Sequence, residues 1–329
     1  MKRAVPFLLL PLGFLPAFAA DIPGGGITPD HLSRHVRVLA SDAFEGRAPA
    51  TSGEEKTIAY VVDELKKAGV QPGGERGTWT QDVPLVRAQV EGAVSASLRI
   101  GSETQTLTNG DDVVLQSLSP VDRVALVDAP LVFVGYGINA PERGWDDNKG
   151  AELQGQVAVG LVNDPDFETD PPGAFDGRAV TYYGRLTYKY EELARQGAAG
   201  VLIVHETVPA AYGWATVRAS GLSPVFDIPR PDAATYHTLL RGWMQRDLAV
   251  SLFKRAGLDF EVEKRRAQTK AFTPVPLGDA TLSAAFDVER DQVVPRNVIG
   301  RLEGAQRRDE AGIYSAHWDA FGIGEPDAA

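Results

Sequence analysis

The chain has 329 residues, 43% of them hydrophobic, with 33 basic and 44 acidic side chains and no cysteine. Without cysteine it carries no disulfide, thiolate metal site, cysteine nucleophile or lipidated N-terminal cysteine, so any metal must sit on His, Asp and Glu. The formal charge of -11 argues against nucleic acid or an anionic membrane as partner, and the length suits about two domains.

Met1-Lys2-Arg3, an apolar run over 5–14 and Ala17-Phe18-Ala19 have the charged head, short apolar core and small-residue cleavage site of a signal peptide, expected over residues 1–20. The run is broken by Pro6 and Pro11 and is shorter than the roughly 20 residues of a membrane span, so no membrane insertion is expected in the mature form. Removal of Lys2 and Arg3 takes the basic count from 33 to 31 against 44 acidic groups, a charge of -13. The expected location is the periplasm or the medium. After the linker Gly24-Gly25-Gly26, Thr28-Pro29-Asp30 reads as a helix N-cap with proline at the first helical position, and Leu32, Val36 and Leu39 fall on one face. A loop over 41–49 leads to Ser52 and Glu55, spaced as a capping box, and to Ile58, Val61, Val62 and Leu65 at helical spacing. Gly69 with Val70 marks a Schellman stop.

From residue 78 the pattern changes to short strands at 78–83, 96–100, 124–127, 131–134 and 157–162, separated by Gly, Asn, Asp and Pro turns. A helix over 188–196, stopped by Gly197, precedes the buried-strand run Val201-Leu202-Ile203-Val204, a unit of the α/β kind. The turn Ile228-Pro229-Arg230-Pro231 introduces an expected helix over 231–243, and the basic stretch 264–270 reads as a linker. Leu282, Ala284, Phe286 and Val288 alternate with polar or small residues as a half-buried strand, and 297–302 is another. The apolar stretch 313–316 then reads as a buried strand presenting His317 and, two residues on, Asp319.

Imidazole is a common zinc ligand and a neighbouring carboxylate fixes its tautomer, so His-x-Asp at a strand end suits metal chemistry; a hydrogen-bonded structural pair is the plainer alternative. Gly135-Tyr136-Gly137-Ile138-Asn139-Ala140 imitates a dinucleotide fingerprint, but Pro141 and Gly144 stand where a helix must begin, which favours a strand-turn element. The acidic loop 164–170 lacks the Gly and terminal Glu of an EF-hand and reads as solvated. His205 is at least as well suited to a structural hydrogen bond as to a metal, and His31, His35 and His237, in expected helices, have no partner spacing.

Taken in order, His35 to Leu39 with Ala40-Ser41-Asp42, Glu45-Gly46-Arg47 and Leu65-Lys66-Lys67-Ala68-Gly69 resemble the N-terminal helices of family twenty-eight of the metallopeptidases, the two-zinc aminopeptidases. Phe133-Val134-Gly135-Tyr136-Gly137-Ile138, Asp146-Asp147-Asn148-Lys149-Gly150 and Leu161-Val162-Asn163-Asp164-Pro165 resemble the protease-associated domain inserted in one subset. Asn297-Val298-Ile299-Gly300 and Tyr314-Ser315-Ala316-His317-Trp318-Asp319 resemble the return to the peptidase sheet. The resemblance implies an α/β fold: an incomplete three-layer α/β/α zinc-aminopeptidase domain over 28–114 and 281–329, with a β-rich protease-associated domain inserted over 115–280. It implies His317 as a zinc ligand, Asp319 as its orienting carboxylate, a peptide or protein substrate, and two zinc ions sharing a water that attacks the scissile carbonyl. Ala320-Phe321-Gly322 replaces the His-Leu-Gly that often follows in this subset, and the family's remaining ligands and its Glu-Glu pair lie downstream. The chain is therefore expected to be an N-terminal portion, inactive alone; the alternative is a non-catalytic module binding peptide or protein.

Overall fold

The computed structural model describes residues 27–324, so the signal-peptide segment and the glycine linker lie outside the described residues. Helix α1 (Pro29–Leu39) starts as its sequence dictates, with Thr28 Oγ1 accepting from His31 N–H at 3.2 Å. Helix α2 (Ser52–Lys67) begins one residue earlier than the capping box suggests: Thr51 is the cap and accepts from Gly53 N–H. Glu55 instead pairs with Arg296. Its end is the Schellman turn, with Val70 N–H donating to Leu65 O and Gly69 N–H to Lys66 O, both at 3.0 Å.

One mixed sheet of nine strands organises most of the chain. Its strands are β1 (Leu85–Ile100), β2 (Glu103–Leu107), β3 (Val113–Gln116), β4 (Arg123–Phe133), β5 (Val157–Leu161), β6 (Gly200–His205), β7 (Val225–Asp227), β8 (Leu240–Gln245) and β9 (Val275–Val293). The order is β7-β1-β9-β4-β5-β6-β8-β3, with β2 on β1. The centre, β4-β5-β6-β8, is parallel and both flanks are antiparallel. Helices α3 (Leu186–Arg195) and α4 (Trp214–Gly221) cover one face, and α5 (Arg246–Arg255) and α6 (Phe260–Ala267) the other.

The apolar run in β6 follows from this placement. Leu202 and Val204 join the core under α5, Val201 and Ile203 the core under α3, so both faces of the strand are covered, and its one polar residue, His205 at the end, is buried with a hydrogen-bond partner. In β9, Leu282, Ala284, Phe286 and Val288 all point into the core, as their alternation requires.

Three local expectations change. Residues 231–243 are not one helix but a turn of helix at Ala233–Tyr236 followed by β8, because Leu240, Trp243 and Met244 are needed beside β6. The basic stretch at 264 ends helix α6, where Lys264 is drawn inward by Glu168 and Glu206, at 2.5 and 2.8 Å. Residues 313–316 form no strand: Ile313 and Tyr314 are exposed and have no ladder partner among the described residues.

The sheet draws strands from both sides of the expected boundaries at 115 and 280: β1 and β2 precede the first and β9 runs through the second. Outside it, residues 27–83 and 294–324 hold each other. Thr80–Asp82 pairs with Arg296–Val298, Gln71–Pro72 with Gly300–Arg301, and the buried Glu54 carboxylate accepts from Arg296 N–H at 2.9 Å. Among the described residues no helix is long and apolar enough to cross a membrane.

Candidate functional site

His317 lies in an irregular segment with its side chain 85% exposed. Its Nδ1 is 3.4 Å from Asp319 Oδ1 and 3.1 Å from the Asp319 carbonyl, so the pair is formed within one turn of chain. Exposure of the ring itself contrasts with firm anchoring of the residues around it. Trp318 Nε1 donates to Arg296 O at 3.0 Å, Arg47 Nε donates to Trp318 O at 3.0 Å, and Ala320 and Gly322 N–H donate to Arg47 and Gly46 O.

The close approach needs glycine. Gly46 has φ +64°, and a Cβ there would stand 2.1 Å from Gly322 O. Beside this clamp is a cavity of about 170 Å³ lined by Pro49, Leu85, Arg296, Trp318 and Asp319 among others. Arg296 is held on its floor by Glu54 and Glu55, and the Glu55 hydrogen bond raises the arginine's pKa and lowers that of Glu55.

A catalytic zinc takes three protein ligands and a water, and the described residues contain no cluster of three His, Asp or Glu side chains able to hold a metal. His317 and Asp319 supply one imidazole and one supporting carboxylate, which by themselves do not fit a catalytic zinc.

The other sequence candidates are absorbed by structure. In the glycine turn after β4, Gly137 N–H donates to Val134 O at 2.9 Å, Ile138 N–H to Asp147 at 3.0 Å and Asn139 N–H to Tyr188 Oη at 3.0 Å. These backbone donors, the kind a phosphate would need, already have partners, and Lys189 Nζ is taken up by Tyr136 O at 2.6 Å. Two carboxylates of the acidic loop point inward, Asp164 accepting from Thr181 N–H and Oγ1 and Asp166 from Phe175 N–H, while Glu168 and Asp170 are exposed as a solvated loop requires. Lys189 is fully buried facing Asp147 and Asp164; burial pulls its pKa down to about 8 and pushes that of Asp147 up to about 7. His205 is buried against Trp214 and Trp243 with Nε2 on Tyr212 O, a structural role. His35 bonds Tyr60 Oη through Nδ1 at 2.7 Å.

His237 is the residue whose setting the sequence concealed. It stands in no helix, and its Nε2 lies 2.7 Å from Asp227 Oδ2 on the wall of a second cavity. The signal was the proline-rich turn between them, which folds residues ten apart together.

The sequence matches no protein-family model and no curated protein. Among solved structures it is similar to an aminopeptidase from Aneurinibacillus sp. strain AM-1, at 15% identity and TM-score 0.40, covering 86% of this chain and 50% of that one. It is also similar to BSAP, a zinc aminopeptidase from Bacillus subtilis, at 13% identity and TM-score 0.35, covering 84% of this chain and 47% of that one. The chain spans about half the length of the solved structures it matches, and no residue role is carried from them.

Proposed function

We propose that this chain is a portion of an exported zinc-dependent aminopeptidase in which His317 ligates one of two zinc ions and Asp319 orients it. The observation that supports this reading is the pair itself: an exposed imidazole whose Nδ1 is occupied by Asp319, which leaves its Nε2 side for a metal. The remaining ligands then come from outside the described residues, and the substrate is a peptide or protein N-terminus. The unit over 85–293 is the inserted domain in this reading, wider than 115–280 because β1 and β9 are its longest strands.

The lack of a three-donor cluster among the described residues favours a second reading, a non-catalytic peptide-binding module. Zinc titration with an aminoacyl nitroanilide assay separates the two. Residues 20–329 should bind zinc weakly and hydrolyse no faster than His317→Ala, whereas a chain extended through downstream sequence should be active and lose zinc-dependent turnover in His317→Ala. An extended chain whose zinc affinity is unchanged by His317→Ala would remove the metal reading. Chelator-sensitive hydrolysis by residues 20–329 alone, lost in His317→Ala, would show instead that this chain completes its own site. Export is checked by N-terminal sequencing of secreted material, expected to begin near Ala20.

A further inference from the structure

We infer that the cavity between β7, the proline-rich turn that follows it and the β1–β9 ribbon binds an amino-acid-sized carboxylate with an apolar side chain. The cavity measures about 220 Å³. At ~30 Å³ per water that is room for about seven waters, below the ~300 Å³ at which pockets for drug-sized molecules begin.

Its chemistry is divided between two walls. Val86, Leu118, Pro120, Ile228 and Ala233 make an apolar side. Facing them are Arg230, Arg290 and His237, and the one acidic lining residue is Asp227. That carboxylate is already shared: Oδ2 lies 2.7 Å from His237 Nε2 and 3.4 Å from Arg230 Nε, and Oδ1 accepts from Ile228 N–H at 2.9 Å.

Both guanidiniums are fixed: Arg230 shares the single Asp227 carboxylate with His237, and Arg290 has no ion-pair partner among the described residues. Arg230 lies flat on Tyr236, 3.4 Å from the ring centroid, and its Nε is buried with no hydrogen-bond partner. Arg290 Nη1 donates to Leu118 O and Ser119 O, which hold the group in place but carry no charge. Behind His237, Arg241 is a further buried cation whose Nε has no hydrogen-bond partner. Burial lowers the pKa of Arg290 and Arg241, outweighing the opposing pull of Asp122 on the first and of Tyr190 and Asp227 on the second. A planar guanidinium fork matches a carboxylate through two parallel hydrogen bonds, so the missing partner has the geometry of a carboxylate and the opposite wall selects an apolar side chain.

The position gives the cavity a functional context. Val86 is paired with both Asp227 and Gln292, and its neighbour Leu85 lines the cavity that contains Trp318 and Asp319. The inference does not rest on the zinc reading, because its ligand needs neither metal nor hydrolysis.

The test is calorimetry on the full chain with N-acetyl-leucine, which has no free amine for an aminopeptidase to act on. A Kd on the order of 1 mM is expected, as suits about a dozen heavy atoms. N-acetyl-leucine amide should bind at least 10-fold more weakly, and Arg230→Gln should lose about as much. Arg230→Lys, which keeps the charge but not the fork, should fall between. Arg290→Gln should also weaken binding, with a thermal melt run beside it because Arg290 holds the 118–119 turn. N-acetyl-alanyl-leucine distinguishes the source: equal affinity extends the class to peptide C-termini, and weaker binding confines it to single amino acids. The inference is overturned if folded protein fails to bind N-acetyl-leucine, if the amide or inorganic phosphate binds equally well, or if Arg230→Gln leaves the affinity unchanged.

Discussion

Strand β6 buries all six of its residues, whereas helix α1, of eleven residues, buries none. Both are read easily from sequence, yet only the strand has neighbours on both sides. The unit at 85–293 closes its core with helices on two faces of the sheet. The part formed by 27–83 and 294–324 has two-residue and three-residue ladders, helices α1 and α2 and a clamp of backbone hydrogen bonds, and it leaves Leu32, Val36, Leu302, Ile313, Tyr314 and Phe321 exposed. Local signals specify elements; burial depends on what lies beside them. The candidate metal residue sits in the lightly packed part and the carboxylate cavity mainly in the densely packed one.

The sharpest contrast should come from apolar truncation. Phe133 is fully buried at the end of β4 with Phe253 and Phe272 edge-on at 5.1 and 5.5 Å. Phe133→Ala should cost about 3 to 5 kcal/mol in a denaturant titration, and Val36→Ala, 63% exposed, no more than about 0.5 kcal/mol. A Val36→Ala cost comparable to that of Phe133→Ala would mean that α1 is covered in solution.

That contrast also explains what the sequence could disclose. The Thr28 cap, the Schellman turn at Gly69 and the alternation in β9 are local and were legible, whereas the capping box expected at Ser52 and Glu55 gave way to a Thr51 cap because Arg296, distant in sequence, takes Glu55. Residues 231–243 misled because the proline turn and the mixed run after it carry helix-compatible residues, while pairing of β8 with β6 is a long-range choice. The strand expected at 313–316 failed for the opposite reason: an apolar run becomes a strand only where a partner edge accepts its hydrogen bonds. His317 and Asp319 were legible as a pair because two residues of chain bring them together. Asp227, Arg230, Arg290 and His237 were not, since Arg290 reaches them only through β9 and β1.

The clamp that carries the His317 segment can be broken at one atom. Gly46→Ala combines a left-handed backbone with a Cβ directed at Gly322 O, so residues 318–322 must move away. Gly69→Ala has a similar φ of +76° but open space around the new methyl, and should cost only about 1 kcal/mol. In Gly46→Ala the larger loss should come with a changed Trp318 environment and faster proteolysis after Arg47, while Gly69→Ala leaves both as they were. Identical behaviour of the two variants would mean that the clamp does not hold.

The densely packed part carries a pH dependence opposite in sign to that of the flanking part, where hydrogen bonds lower the pKa of Glu45, Glu55 and Glu64. Asp147, raised by burial to about 7 from 3.8, binds its proton more tightly in the folded chain than in the unfolded one. Its contribution is therefore fully present below about 3.8 and lost as pH rises through about 7. The melting temperature should drift downward across this window, and Asp147→Asn should flatten the slope even if it lowers the midpoint. An unchanged slope would place the proton elsewhere in the buried Lys189 cluster.

The smallest effect on stability should fall on the residue of greatest interest. His317 gives up almost no buried surface and one local hydrogen bond, so His317→Ala should leave the unfolding free energy within about 0.5 kcal/mol. Asp319 contributes to the wall beneath it but makes its polar contacts with His317 alone among those described, so Asp319→Asn should be equally mild. In a chain extended to supply the other ligands, the same two changes should separate: His317→Ala removes a ligand, and Asp319→Asn weakens metal binding about 10 to 100-fold by loosening the ring's orientation. A side chain that costs nothing to remove from the fold and much to remove from the metal is placed for chemistry. Loss of folding in either variant of the present chain would instead make the pair a structural hydrogen bond, and the metal reading would lose its support.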